Sequence, residues 1–156
     1  MKRVVLLLVL AAALLAPAAR ADGDPASDYL LVQRVFLSYE LAPYPKQKQA
    51  LAKAVAAANQ GGYKIRVAVI SSSYDLGSVT SLWRKPQTYA RFLGVELSFV
   101  YRQRLLVVMP NGFGFNWPKH SPAPGYAVLA KLKVRAGGAG LLESATAAVQ
   151  ALAKAG

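Results

Sequence analysis

Dense apolar runs separated by short polar joints organise this chain, and the spacing inside each run predicts its element. YLLVQRVFLSY, from Tyr29, mixes aliphatic and aromatic residues with few polar breaks and predicts an opening strand. Pro45 stands at a helix start, and Leu51, Val55 and Ala58 follow at helical spacing, with Lys46 and Lys53 off that stripe. Gly61-Gly62 supplies the stop. Lys64 to Ile70, KIRVAVI, is apolar on both faces and predicts a buried strand. SSSYDLGS is a loop. A second helix begins near Pro86, with Tyr89, Phe92 and Leu93 on one face and Leu97 a turn later.

Leu105 to Met109 is the second buried strand, and burying each of its five side chains is worth roughly 1.5–3 kcal/mol, so it belongs at the centre of a sheet. GYAVLAKLK predicts a helix, with a strand as the alternative because Lys131, Lys133 and Arg135 recur at period two. Gly137 to Gly140 is expected to be a flexible joint. The chain then closes on an amphipathic helix through Leu141, Ala145, Ala148 and Leu152. Strands alternating with helical crossovers predict a single three-layer α/β/α domain over residues 29–156, with a small mixed, largely parallel sheet.

RLLVVMPNGFGFNW, residues 104 to 117, poses the sharpest question. Its G-x-G could cradle a phosphate, or Pro110-Asn111-Gly112 could simply reverse a buried strand. Asn-Gly between apolar runs is a strong hairpin signal, and Phe113, Phe115 and Trp117 alternate as a returning strand would. A phosphate-gripping loop needs a third glycine and an immediate helix, which Pro118 forbids. The turn is the better reading.

The amino terminus changes the compartment. Lys2 and Arg3 precede twelve unbroken apolar residues, Val4 to Leu15, then Pro17 and Ala19-Arg20-Ala21. This is the pattern of a secretory signal peptide over residues 1–21, too short for the ~20 residues of a membrane-spanning helix. The expected product begins at Asp22, is secreted or periplasmic, and has no transmembrane segment after cleavage. Losing Lys2, Arg3 and Arg20 lowers the formal charge from +12 to +9. There is no cysteine, so disulfides, thiolate metal sites and lipid attachment at a cysteine are excluded. Residues 22–28, DGDPASD, are expected to be a flexible segment. Asp22, Asp24 and Asp28 resemble a calcium loop, but Ser27 and Gln33 stand where its glycine and closing glutamate belong.

KIRVAVISSSYDLGSV, QTYARFLG and RLLVVMPNGFGF together resemble the TPM-domain family, which includes thylakoid-lumen phosphatase-like repair proteins, a nematode receptor modulator and bacterial envelope proteins. The resemblance covers roughly residues 45 to 117. It implies an exported α/β/α domain, often tethered by a carboxyl-terminal membrane helix. The family often follows its G-aromatic-G with a glutamate and, a little later, an aspartate. Here Asn116 takes the first position, WPKHSPAPGY offers no carboxylate, and no anchor or glycine-rich tail follows the domain up to Gly156.

For chemistry, parallel buried strands would bring Ser71 to Gly77 beside Pro110 to Phe115 in the usual crevice of an open α/β sheet. Asp75 is the acid expected there, with Ser71, Ser72, Ser73, Asn111, Gly112 and Asn116 as candidate binding partners for an anion or a weakly held cation. The plainer reading is that these groups satisfy loop amides. His120, the single histidine, sits in a proline-rich loop, and no G-x-S-x-G elbow is present. No catalytic residue, resident metal or cofactor is expected. Arg84 with Lys85, Arg102 with Arg104, and Lys131, Lys133 with Arg135 form small basic clusters. Export argues against nucleic acid and for an envelope protein, anionic lipid or acidic polymer. Trp83 beside Arg84 and Lys85 could place an aromatic at a membrane interface. Two readings therefore stand: a non-catalytic exported binding domain, or a weak phosphatase working from the Asp75 crevice.

Overall fold

A computed structural model describes residues 23–156. The expected signal peptide, its expected cleavage site and Asp22 lie outside the described residues. The described residues open on α1 (Pro25–Leu30), which corrects the flexible segment expected over 22–28 at its residues 25–28 and delays the strand expected from Tyr29. Asp24 is the N-cap, accepting from the Ala26 amide, and Pro25 occupies the first helical position. Ala26 and Leu30, one turn apart, are fully buried. The short strand β1 (Val35–Leu37) follows, then a 3-10 turn over Tyr39–Leu41.

Helix α2 (Pro45–Gln60) and strand β2 (Ile65–Val69) stand where the periodicity puts them. Buried Asn59 joins them: its Nδ2 donates to the carbonyls of Val55 and Ile65 at 2.8 and 2.9 Å, and its Oδ1 accepts from the Ile65 amide. A 3-10 stretch, Ser73–Leu82, kinks at Gly77 (φ +52) before α3 (Pro86–Glu96). A last 3-10 turn, Leu97–Phe99, leads to β3 (Arg104–Met109) and β4 (Gly112–Asn116). Then come α4 (Ala123–Leu129), a non-helical stretch carrying Lys131, Lys133 and Arg135, and α5 (Gly137–Ala155).

The strands lie in chain order, β1-β2-β3-β4. β1, β2 and β3 are parallel, and β4 returns antiparallel to β3. Helices cover both faces. Leu106 and Val108 join the core beneath α2, α4 and α5, while Leu105, Val107 and Met109 join the core beneath α1 and α3. β3 is therefore buried on both sides, as its five-residue apolar run requires.

The G-x-G of the hairpin serves packing. Phe113 and Phe115 face the first core, leaving Gly112, Gly114 and Asn116 beneath α3. Pro86, Ala90 and Gly94 step along that helix by four residues, about 6 Å, against strand steps of two residues, about 6.6 Å. The two rows stay in register. A Cβ on Gly114 would lie 1.9 Å from the Pro86 carbonyl oxygen, and one on Gly94 would lie 2.0 Å from the Asn116 side chain.

Gly137 to Gly140 is a correction too: it is the first turn of α5 rather than a flexible joint. Gly137 has φ +75 at the helix entry, and Gly138 leaves the space filled by the Tyr44 ring, 2.3 Å from where a Cβ would stand. Close approach, rather than freedom, is the use of these glycines. On the outer side of β4, the Tyr126 hydroxyl accepts from the Phe115 amide and donates to the Phe115 carbonyl, each at 3.0 Å.

Candidate functional site

Parallel strands end on one edge, so the segments after β1, β2 and β3 converge there. Ser71 follows β2. Its amide and that of Ser72 donate to a single oxygen, Oδ2 of Asp75, at 2.8 and 3.0 Å. The Asp75 amide in turn donates to the Ser72 carbonyl at 3.3 Å, which closes the turn at the start of the 3-10 stretch and leaves the buried Ser72 hydroxyl without a partner. The one acid anticipated in this crevice is therefore a loop-amide acceptor.

The Ser71 hydroxyl turns the other way, toward the segment after β1. Its Oγ lies 2.6 Å from Oγ of buried Ser38 and 2.9 Å from Oε2 of Glu40. A carboxylate only accepts, so Ser71 donates to Glu40 and receives its second bond from Ser38. Above this trio is a cleft of about 370 Å³, walled by Glu40, Tyr44, Ser71, Pro110, Arg135 and Gly138. Arg135 reaches Glu143 at 2.8 Å across exposed surface, a pair worth under about 1 kcal/mol.

The candidate set thus divides. Ser71 and Asp75 are together, and Ser73 begins the adjoining 3-10 stretch. Asn111 forms the hairpin turn with Pro110, and Gly112 opens β4; the Asn111 side chain donates to the Arg84 carbonyl at 2.7 Å and pins a residue of positive φ (+59). Asn116 is elsewhere, correcting its expected place in the crevice. β4 runs antiparallel, so five residues after the turn it pairs with Leu105 at the amino edge of the sheet. Glu40 and Ser38 escaped the sequence reading. Their signal was positional: Ser-Tyr-Glu directly follows a parallel strand and must share the carboxyl edge.

The basic clusters separate as well. Arg84 and Lys85 are exposed, while the neighbouring Trp83 is half-buried and packs against the second core. Lys131 and Lys133 are solvated. Arg102 and Arg104 stand at the amino edge, where the Arg104 guanidinium lies between Tyr63, at 4.0 Å, and Trp117, at 3.7 Å. His120 stacks on the outer face of Trp117 at 3.8 Å, also at that edge and away from Ser71. Burial pushes the Tyr101 hydroxyl above its ordinary range despite Arg66 over its ring, and it donates to the Arg104 carbonyl.

No family model, curated protein or solved structure matches this chain. Its chemistry must be argued from the residues alone. Among the described residues no three His, Asp or Glu side chains stand close enough together to hold a metal ion. Likewise none of them forms a helix long and apolar enough to cross a membrane. Ser71 with Glu40 can orient a small polar ligand. A serine nucleophile would want an imidazole, and the chain's one imidazole is stacked on Trp117.

Proposed function

We propose that the chain is an exported, non-catalytic TPM-like domain that binds an envelope component or partner protein. The observation that carries this reading is the bonding of Asp75. A carboxylate already accepting two backbone amides, each a charge-assisted bond, is held in place as a structural acceptor. Phosphoryl transfer needs positioned positive charge or a metal around the transferred group, with an activated nucleophile in line. Beside Ser71 stands the negative charge of Glu40, and the cation lining that cleft, Arg135, is paired with Glu143. Export rests on the charged, apolar and small-residue pattern of residues 1–21.

Two measurements test this. Release of phosphate from a generic monoester, with and without magnesium or calcium, is expected to stay at background for both the wild type and Asp75→Ala. The substitution is expected instead to lower stability by about 1–3 kcal/mol through the two orphaned amides. Turnover above background that Asp75→Ala abolishes makes the phosphatase reading the correct one. Intact-mass analysis of secreted protein is expected to give a chain beginning at Asp22, and a membrane-bound chain retaining Met1 would refute export.

A further inference from the structure

Among the described residues, eight large hydrophobic side chains are exposed, and three of these are tyrosines. The other five, Leu31, Val32, Val95, Phe99 and Val100, share one location. All lie where α1 or α3 ends and the chain turns toward a parallel strand. Both helices run back toward the amino edge of the sheet, so both sets of residues project from that edge. Phe99 is 91% exposed and Val32 80%, so both protrude, and Val32 with Arg34 also borders a cleft of about 620 Å³ between β1 and α2.

Arg66 holds the two tips together. Its guanidinium donates to the Leu30 carbonyl beside one tip and lies 4.1 Å over the ring of Tyr101 beside the other. The same edge gathers cations because each parallel strand enters through them: Arg34 before β1, Lys64 and Arg66 at β2, Arg102 and Arg104 at β3. The Nε of Arg102 donates to the Ser98 carbonyl at 2.8 Å, which braces the Phe99 turn. Asp28 and Glu96 are the acids on the two helices, against Arg34, Arg66 and Arg102 around the tips, while Arg104 is held between Tyr63 and Trp117 and the Lys64 Nζ donates to the Asn59 carbonyl.

Apolar tips above a collar of guanidinium and ammonium groups match a surface that is anionic outside and hydrocarbon within. The two tips are separate, which suits a fluid layer that closes around each, and the cations around them are complementary to anionic head groups. We propose that this amino edge is a membrane-docking face, inserting Val32, Phe99 and Val100 into an anionic lipid surface while Arg34, Arg66 and Arg102 engage lipid phosphates. This deepens the reading of the chain as an envelope-binding domain, and names lipid as the component bound.

Co-sedimentation of the purified protein with vesicles of phosphatidylcholine, alone or with about 30% phosphatidylglycerol, tests it. Binding is expected to be about tenfold or more stronger with the anionic vesicles, and to weaken about tenfold in Phe99→Ser/Val100→Ser and again in Arg34→Gln/Arg102→Gln. Phe99→Trp is expected to blue-shift on anionic vesicles and to be quenched by brominated acyl chains. Phe99, Val100 and Arg34 are exposed and the Arg102 bond to Ser98 lies at the surface, so melting temperatures should stay within about 2 °C of wild type. Arg34→Gln alone, which touches no brace, should also weaken binding.

Two results overturn the proposal. One is vesicle binding that Phe99→Ser/Val100→Ser leaves intact and salt removes, which reduces the contact to diffuse charge. The other is a concentration-dependent dimer, abolished by that variant, with no vesicle binding; the tips would then join two copies. Neither result touches the phosphatase assay or the intact mass, so this proposal and the broader reading fail separately.

Discussion

Gly114→Ala is expected to be the most damaging single-methyl change in this chain, lowering stability by about 3 kcal/mol or more and the melting temperature by roughly 10 °C. The added Cβ would stand 1.9 Å from the Pro86 carbonyl oxygen, 2.4 Å from its carbonyl carbon and 3.0 Å from the Ala90 Cβ. Two of these are backbone atoms in the first turn of α3, so no rotamer change relieves the clash. Relief means lifting α3 from β4, and that opens the core built on Tyr89, Leu93 and Val107. Gly62→Ala is the control. Gly62 has φ +90 but nothing within 4 Å of its Cβ position, so it carries only the backbone penalty, about 1–2 kcal/mol. Chemical denaturation of the two variants checks the ranking, and a Gly114→Ala as stable as Gly62→Ala would show that α3 does not rest on β4 as described.

Asp24→Asn is expected to stabilise the protein at neutral pH. Asp24 is 4% exposed, and burial pushes its carboxyl from an ordinary 3.8 up to about 6, an effect the Tyr89 hydroxyl bond at 2.6 Å only partly offsets. Its second oxygen is buried without a partner. Asp28 adds a smaller push in the same direction. The buried Tyr89 hydroxyl is itself held far above its usual range, first by desolvation and then by Asp24, so it stays a donor throughout.

The sign follows from linkage. Between about pH 4 and pH 6 the folded state holds a proton that the unfolded state has released, so this group favours folding most below pH 4. That contribution fades as pH rises through 6, a span on the order of 2–3 kcal/mol. Asparagine is neutral at every pH, still caps α1 and still accepts from Tyr89. Its melting temperature at pH 7 should exceed wild type by about 5–10 °C, and the two should converge near pH 4. A variant that is less stable at pH 7 and keeps the wild-type slope would locate the pH dependence in another group.

Asp24 also shows where sequence reasoning stops. DGDPASD is polar enough to pass for a tail, although Asp-Pro is itself a helix-start signal. What makes the segment part of the core is Tyr89, 65 positions away, and no local pattern contains that contact. By contrast α2, β2, α3, the β3–β4 hairpin and α5 were legible because their periodicities are long and punctuated by Pro, Asn-Gly or Gly-Gly. The hairpin turn at Pro110 to Gly112 was read correctly, yet the reason for its glycines was hidden, since it lies in the small residues of a helix 20 or so positions earlier. Asn116 was misplaced through a step the sequence did allow: a strand returning from a tight turn carries its end back to where its partner began. The Ser71–Glu40 contact is not legible locally, since Glu40 lies 31 positions earlier, in the 3-10 turn after β1.

A four-stranded open sheet has two free edges, and each is an invitation to further strands. On one side β1 offers three residues, too short a template to hold an incoming chain. On the other, β4 is longer, but the Tyr126 hydroxyl occupies both the donor and the acceptor of Phe115, the groups a neighbouring strand would have to take. One phenol thus caps the middle of this edge, and an incoming strand would have to displace it before it could pair along β4.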